Sequence, residues 1–317
     1  MNETGNLTVS KRVNSFFLIL IILHLLASIL LSTLFAGAVE ISVFSSLLIT
    51  QLMILIPSFV FLLIFNCDVF EWVSLKKLNP VTALLVVLFT FLIMPVITVV
   101  NLASQLFTTN TAIEMSAEFT QMPSLLIIFM VGIFGPVCEE FTFRGVIYGG
   151  YKKTGFIPGA AFLSSLYFGL MHLNINQFCY AVLIGIFACY MIEATGSILS
   201  SMIMHAVINT WNVMLMLVMD KAYKAMGLNL TEIATSEITQ DYKLGMIGVS
   251  MVVALVAGAL AFGVYIVICK REGTLDKILE VKKETGTRLL TFSGWLAIII
   301  CVFVIFFLDK VMALLNR

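Results

Sequence analysis

Two adjacent carboxylates, Glu139 and Glu140, and a guanidinium, Arg144, stand inside an apolar stretch from Ser124 to about Tyr151 that reads as a membrane-crossing helix. Ionisable groups at that depth cost about 3 kcal/mol each on insertion scales, so they mark function by default. Glu140 and Arg144 are one helical turn apart and can pair on one face. Glu139 is rotated by about 100° from Glu140, which leaves it as the carboxylate free for chemistry. The chain has three histidines, and two lie deep in apolar helices beside other polar groups. Phe168-Gly169-Leu170-Met171-His172 closes one helix, and His205-Ala206-Val207-Ile208-Asn209 puts His205 and Asn209 one turn apart on another.

A carboxylate, a histidine and a His/Asn donor pair are the parts that amide hydrolysis needs. A carboxylate screened from bulk water can take a proton from a water molecule near neutral pH. A neighbouring histidine can orient that water or pass the proton to the leaving amine. Two donors on one helix face can hold the oxyanion. Each pair also has a plainer reading: a structural lock for Glu140–Arg144 and a helix–helix hydrogen bond for His205–Asn209. Their co-occurrence on three neighbouring helices favours a site. The third histidine, His24, stands alone among leucines and reads as a packing hydrogen bond. Depth fits less well. At 1.5 Å per residue, Glu139 and His172 lie about 22 and 27 Å from the turn near Thr154, and His205 about 15 Å from the turn near Thr195. A tilt or a protruding fourth helix is needed to bring them together.

The elements that must position these groups follow from composition. With 317 residues, 61% hydrophobic and 11% charged, the chain reads as an all-α, polytopic transmembrane bundle of about eight or nine spans, each of ~20 apolar residues. A soluble multi-domain enzyme is excluded. A net charge of zero leaves no basic stripe for nucleic acid. The six cysteines have no CxxC spacing and read as small buried hydrophobes. Apolar runs place spans near 14–36, 43–66, 81–107, 124–150, 156–174, 178–194, 197–219, 244–269 and 289–309. The first is too long for a signal peptide and reads as a retained span. Three regions result: spans one to three over 1–123, a four-helix catalytic core over 124–219, and an outer loop with the last spans over 220–317. An N-terminus in the cytoplasm puts twelve Lys and Arg residues in inner segments against five in outer ones, the bias of the positive-inside rule.

The connections carry further expectations. Residues 1–12 read as a polar tail, 68–79 as an interfacial helix, 220–243 as an outer loop and 270–288 as a basic hinge attractive to anionic lipid. Gly145/Gly149 and Gly155/Gly159 read as small-residue pairs that let spans four and five approach. Asn2, Asn6 and Asn229 match the glycosylation pattern, which matters only in a secretory pathway. No inverted repeat of the transporter kind is visible.

Glu139-Glu140-x-x-x-Arg144, then Phe168-x-x-x-His172, then His205-x-x-x-Asn209, in that order on apolar helices, resembles the CPBP family of CAAX-protease and bacteriocin-processing proteins, also called Abi. The resemblance covers about residues 124–215. It implies an intramembrane endopeptidase, glutamate-type or metalloendopeptidase, in which Glu139 and His172 activate water, His205 and Asn209 form the oxyanion site, and Glu140 and Arg144 support them. The absence of His-Glu-x-x-His leans toward a metal-free reaction, while Glu139, His172 and His205 make an alternative zinc set. The expected partners are a membrane-presented peptide or protein precursor and the bilayer of a bacterial cytoplasmic membrane. The competing reading is a non-enzymatic transporter or an immunity or regulatory scaffold, because buried Glu/His sets also make proton relays.

Overall fold

In lipid, a chain this apolar must satisfy its own backbone, and within a single chain segment only a helix does so. The computed structural model describes residues 3–34, 42–110, 116–120, 122–228, 239–280 and 288–315. Nine helices of fifteen or more residues dominate these: α1 (Glu3–Leu34), α2 (Val43–Ile64), α3 (Pro80–Ser104), α4 (Ser124–Lys152), α5 (Ile157–Met171), α6 (Ile175–Thr195), α7 (Ile198–Ala225), α8 (Gln240–Arg271) and α9 (Phe292–Leu315). Seven of them, all but α5 and α9, are long and apolar enough to cross a membrane. The protein is an integral membrane bundle. One buried cluster joins α1, α4, α5 and α9, with Phe17 stacked on Tyr167 at 3.9 Å. A second joins α3, α6, α7 and α8.

Several expectations are corrected. The polar tail is helical from Glu3, because Val9, Ser10 and Asn14 are buried and the Asn14 amide donates to the Leu289 carbonyl at 2.8 Å. The expected span over 156–174 shrinks to α5, whose 15 residues rise only about 22 Å against a ~30 Å hydrocarbon core. It stops because Leu173 adopts a left-handed φ of 50° and Asn174 caps α6, accepting from the Gln177 N–H at 3.1 Å. This tight reversal leaves His172 at the inner end of a short helix. The expected interfacial helix is a single turn, Val69–Trp72, capped by Asp68 and closed by Ser74 at φ 57°. That turn, not α5, occupies the space left by the α4 glycines. A Cβ on Gly145 would lie 2.8 Å from Val73, and one on Gly149 would lie 2.3 Å from the Trp72 carbonyl oxygen. Gly155 turns the chain at φ 87°, and Gly159 faces Phe156 and Leu289. The expected outer loop is helical at both ends, α7 running to Ala225 and α8 starting at Gln240, while its middle, residues 229–238 with Asn229, and residues 281–287 of the basic hinge lie outside the described residues.

The depth mismatch between Glu139 and His205 closes at one end of the bundle. Tyr148 donates to Glu193 at 2.9 Å, and Lys152 pairs with the same carboxylate. Tyr148 and Lys152 of α4 thus both reach the end of α6. From Tyr148, Glu139 is about 14 Å deep; from Thr195, His205 is about 15 Å deep. The same end gathers Lys153 on Glu71 at 3.2 Å, Lys277 on Glu193 at 3.4 Å, and Arg271 on Asn79 at 3.2 Å. The segments counted as basic and inner thus share one end.

Candidate active site

Pro136 explains the unusual course of α4. Its ring nitrogen carries no hydrogen, so the carbonyls one turn earlier lose their donor. Ile128–Phe134 accordingly runs with wide i→i+5 hydrogen bonding, Gly135–Glu140 returns to α-helix, and Phe141–Tyr148 widens again. Such π-segments concentrate at functional sites. Side chains of neighbouring elements donate to carbonyls of both wide segments, including the two that Pro136 frees. Asn209 donates to the Val131 carbonyl and Thr210 to the Gly132 carbonyl, both at 3.2 Å. Ser164 donates to Phe143 at 2.8 Å and Trp72 to Val146 at 3.1 Å. The plain reading of Asn209 therefore holds for one of its N–H groups: it makes a helix–helix hydrogen bond.

The carboxylate doublet sits between the two wide segments and splits as the spacing predicts. Glu140 and Arg144 are fully buried and pair at 3.0 Å. His205 Nδ1 lies 2.9 Å from the same Glu140 oxygen. A carboxylate only accepts, so Nδ1 carries the proton and Nε2 is the nitrogen left for other work. Breaking such a buried pair by removing one partner typically costs about 3–5 kcal/mol. Phe168 braces three members at once. The Arg144 guanidinium lies 4.2 Å over its ring, and the rings of His172 and His205 meet it edge-on with centroids 5.0 and 5.6 Å away. Gly185 makes room for the guanidinium, since a Cβ there would lie 2.9 Å from Arg144 Nη2.

Glu139 is the exposed member, with a side chain 21% accessible against none for Glu140. One of its oxygens lies 3.8 Å from His205 Nε2, and the other accepts a long hydrogen bond, 3.4 Å, from the Gln51 amide. His172 Nδ1 donates to the Phe168 carbonyl at 2.9 Å, which leaves its Nε2 unprotonated in the neutral ring and able to accept a proton. Glu139 and His172 line one cavity of about 190 Å³ together with His24, Thr50, Gln51, Ile54, Phe143, Phe168 and Met171. That volume holds several water molecules. His205 stands behind Glu139, and neither it nor Asn209 lines the cavity.

Sequence reasoning read His24 as a packing hydrogen bond, whereas its Nδ1 is buried without a hydrogen-bond partner, and it passed over Gln51. Each is an isolated polar residue in an apolar run, on α1 and α2, and the cost of such a group in lipid was the available signal. Among the described residues, no three His, Cys, Asp or Glu side chains are grouped so as to hold a metal ion.

The segment that carries this geometry has relatives. Residues 121–211 match the family described as type II CAAX prenyl endopeptidase Rce1-like, so the chain contains an Rce1-like segment. The chain is also similar to the Bacillus subtilis (strain 168) protein named "Putative membrane peptidase YdiL", with 31% identity over 93 residues. That match covers 29% of this chain and 38% of the relative, well under half of either. No solved structure matches the chain.

Proposed function

We propose that the protein is an intramembrane endopeptidase that hydrolyses a peptide bond in a membrane-presented peptide or protein precursor. The observation that carries the reading is Glu139: a partly accessible carboxylate in a water-sized cavity shared with His172, with His205 Nε2 at 3.8 Å. In this reading Glu139 takes a proton from a cavity water, and the oxygen attacks the carbonyl carbon. His205, held on its far side by Glu140 and standing behind Glu139, and the second N–H of Asn209 are the donors proposed for the oxyanion, which the substrate carbonyl reaches past Glu139. Collapse breaks the C–N bond, and the proton returns through Glu139 or His172 to the leaving amine. Glu140 and Arg144 hold His205 in place. The Rce1-like match favours substrates of the CAAX type, and a bacteriocin-like precursor fits the same chemistry.

The basic end of the bundle faces the cytoplasm in this reading, by the positive-inside rule, and the similarity to a Bacillus protein supports a bacterial membrane. Quantitative mass spectrometry of secreted and membrane peptides tests the activity. Cells with the parent protein are expected to yield fragments that disappear with Glu139→Ala or His172→Ala while the variants remain inserted. Identical peptide profiles would overturn the assignment. The reaction is proposed to need no metal. Stoichiometric zinc in active protein, lost with His172→Ala, would reverse that part.

A further inference from the structure

Gln51 and His24 come from α2 and α1, outside the Rce1-like segment, yet they face Glu139 and His172 across one cavity. Two of their polar atoms are buried without a hydrogen-bond partner: Gln51 Oε1 and His24 Nδ1. Buried polar atoms are rarely left unpaired, and each one calls for an explanation. The orientation of the Gln51 amide is not arbitrary. Its NH₂ end must meet the Glu139 carboxylate, which can only accept, so its oxygen is turned away and left open. The histidine ring can present Nδ1 as a donor. The wall thus lacks one donor partner and one acceptor partner, and a peptide group supplies one of each.

We infer that His24 and Gln51 form the substrate-binding wall of the cavity: Gln51 accepts the N–H of a substrate peptide group, His24 Nδ1–H donates to a substrate carbonyl, and the Gln51 amide also positions Glu139. This rests on the endopeptidase reading for the identity of the ligand. It makes α1 and α2 the part of the chain that selects and seats the substrate, while the Rce1-like segment carries out hydrolysis. Gln51 has both roles because its two ends face different groups, and His24 has only the binding role.

Two measurements on the full chain in proteoliposomes test this. The first uses a precursor whose cleavage depends on Glu139. His24→Ala is expected to raise KM about tenfold, the worth of one good hydrogen bond, with kcat changed less than about twofold, as loss of uniform binding requires. His24→Gln, which keeps an N–H donor, is expected to recover most of that loss. Gln51→Ala is expected to lower kcat as well as raise KM, because Glu139 loses its orienting partner. A purely structural role predicts lower melting temperatures with unchanged KM in the folded fraction, and that result would overturn the inference. The second measurement needs no turnover. A farnesylated tetrapeptide carrying a diazirine is photolysed with the Glu139→Gln protein, and the labelled residues are mapped. Saturable labelling of α1 near His24 and of α2 near Gln51, lost in His24→Ala, supports the wall. Labelling confined to other helices, or no saturable labelling, rejects it. Glu139-dependent cleavage in the same membranes would in that case leave the endopeptidase reading standing.

Discussion

The two sides of the site, the Rce1-like segment and the α1–α2 pair, differ in how their polar atoms are held. On the Rce1-like side, His205 is held by Glu140 at 2.9 Å, His172 by the Phe168 carbonyl at 2.9 Å and Asn209 by the Val131 carbonyl at 3.2 Å, while Glu140 Oε2 and the Arg144 nitrogens have no hydrogen bond and the guanidinium is held by its ion pair and the Phe168 ring. On the α1–α2 side, His24 Nδ1 and Gln51 Oε1 have no hydrogen-bond partner. Buried polar groups that are paired fix a geometry, and those left unpaired are costly until a ligand arrives. In the proposed reading the first side is the catalytic machinery and the second is the surface that seats the substrate. Removing a residue from the first should therefore damage the fold, and removing one from the second should damage only what the protein does.

The strongest break in this contrast is Glu140→Ala. It strands the Arg144 guanidinium in a fully buried site and frees His205 Nδ1. A loss of about 3–5 kcal/mol is expected, read by thermal unfolding in detergent, and the double variant Glu140→Ala/Arg144→Leu should recover part of it. Gly185→Ala comes next. Its methyl would lie 2.7 Å from Ser165 and 2.9 Å from Arg144 Nη2. Overpacking of this kind typically costs about 1–3 kcal/mol, and unfolding should show it without any change in membrane insertion. The smallest stability effect belongs to His24→Leu, which deletes an unpaired buried nitrogen. Unfolding should shift by less than about 0.5 kcal/mol, in either direction. A loss as large as that of Glu140→Ala would erase the distinction between the two sides.

How much of this was legible in the sequence depended on whether the relevant contact was local. Helical class and the approximate span positions follow from apolar run length, a one-dimensional property. The division of labour between Glu139 and Glu140 follows from rotation about one helix, and the structure places Glu140 on Arg144 and Glu139 at the cavity. The meeting of α4 with the end of α6 did not follow, because it depends on Tyr148 and Lys152 reaching Glu193 on a helix 45 residues away from Tyr148. Pro136 was visible, but its consequence needed the positions of Asn209 and Thr210 on α7. The α4 glycines signalled close approach without naming the neighbour, which is Trp72 and not α5. His24 looked isolated because its cavity neighbours lie 26 or more residues away.

The central claim is that Glu139 activates the attacking water. It is tested most directly by the single-turnover cleavage rate of a precursor found by the peptide comparison, measured with purified parent and Glu139→Gln protein in proteoliposomes at matched unfolding temperature. The account predicts a fall of about 10²–10⁴-fold, the usual contribution of a positioned general base. A rate within about twofold of the parent, from a variant that keeps the shape of the carboxylate and not its basicity, would contradict it.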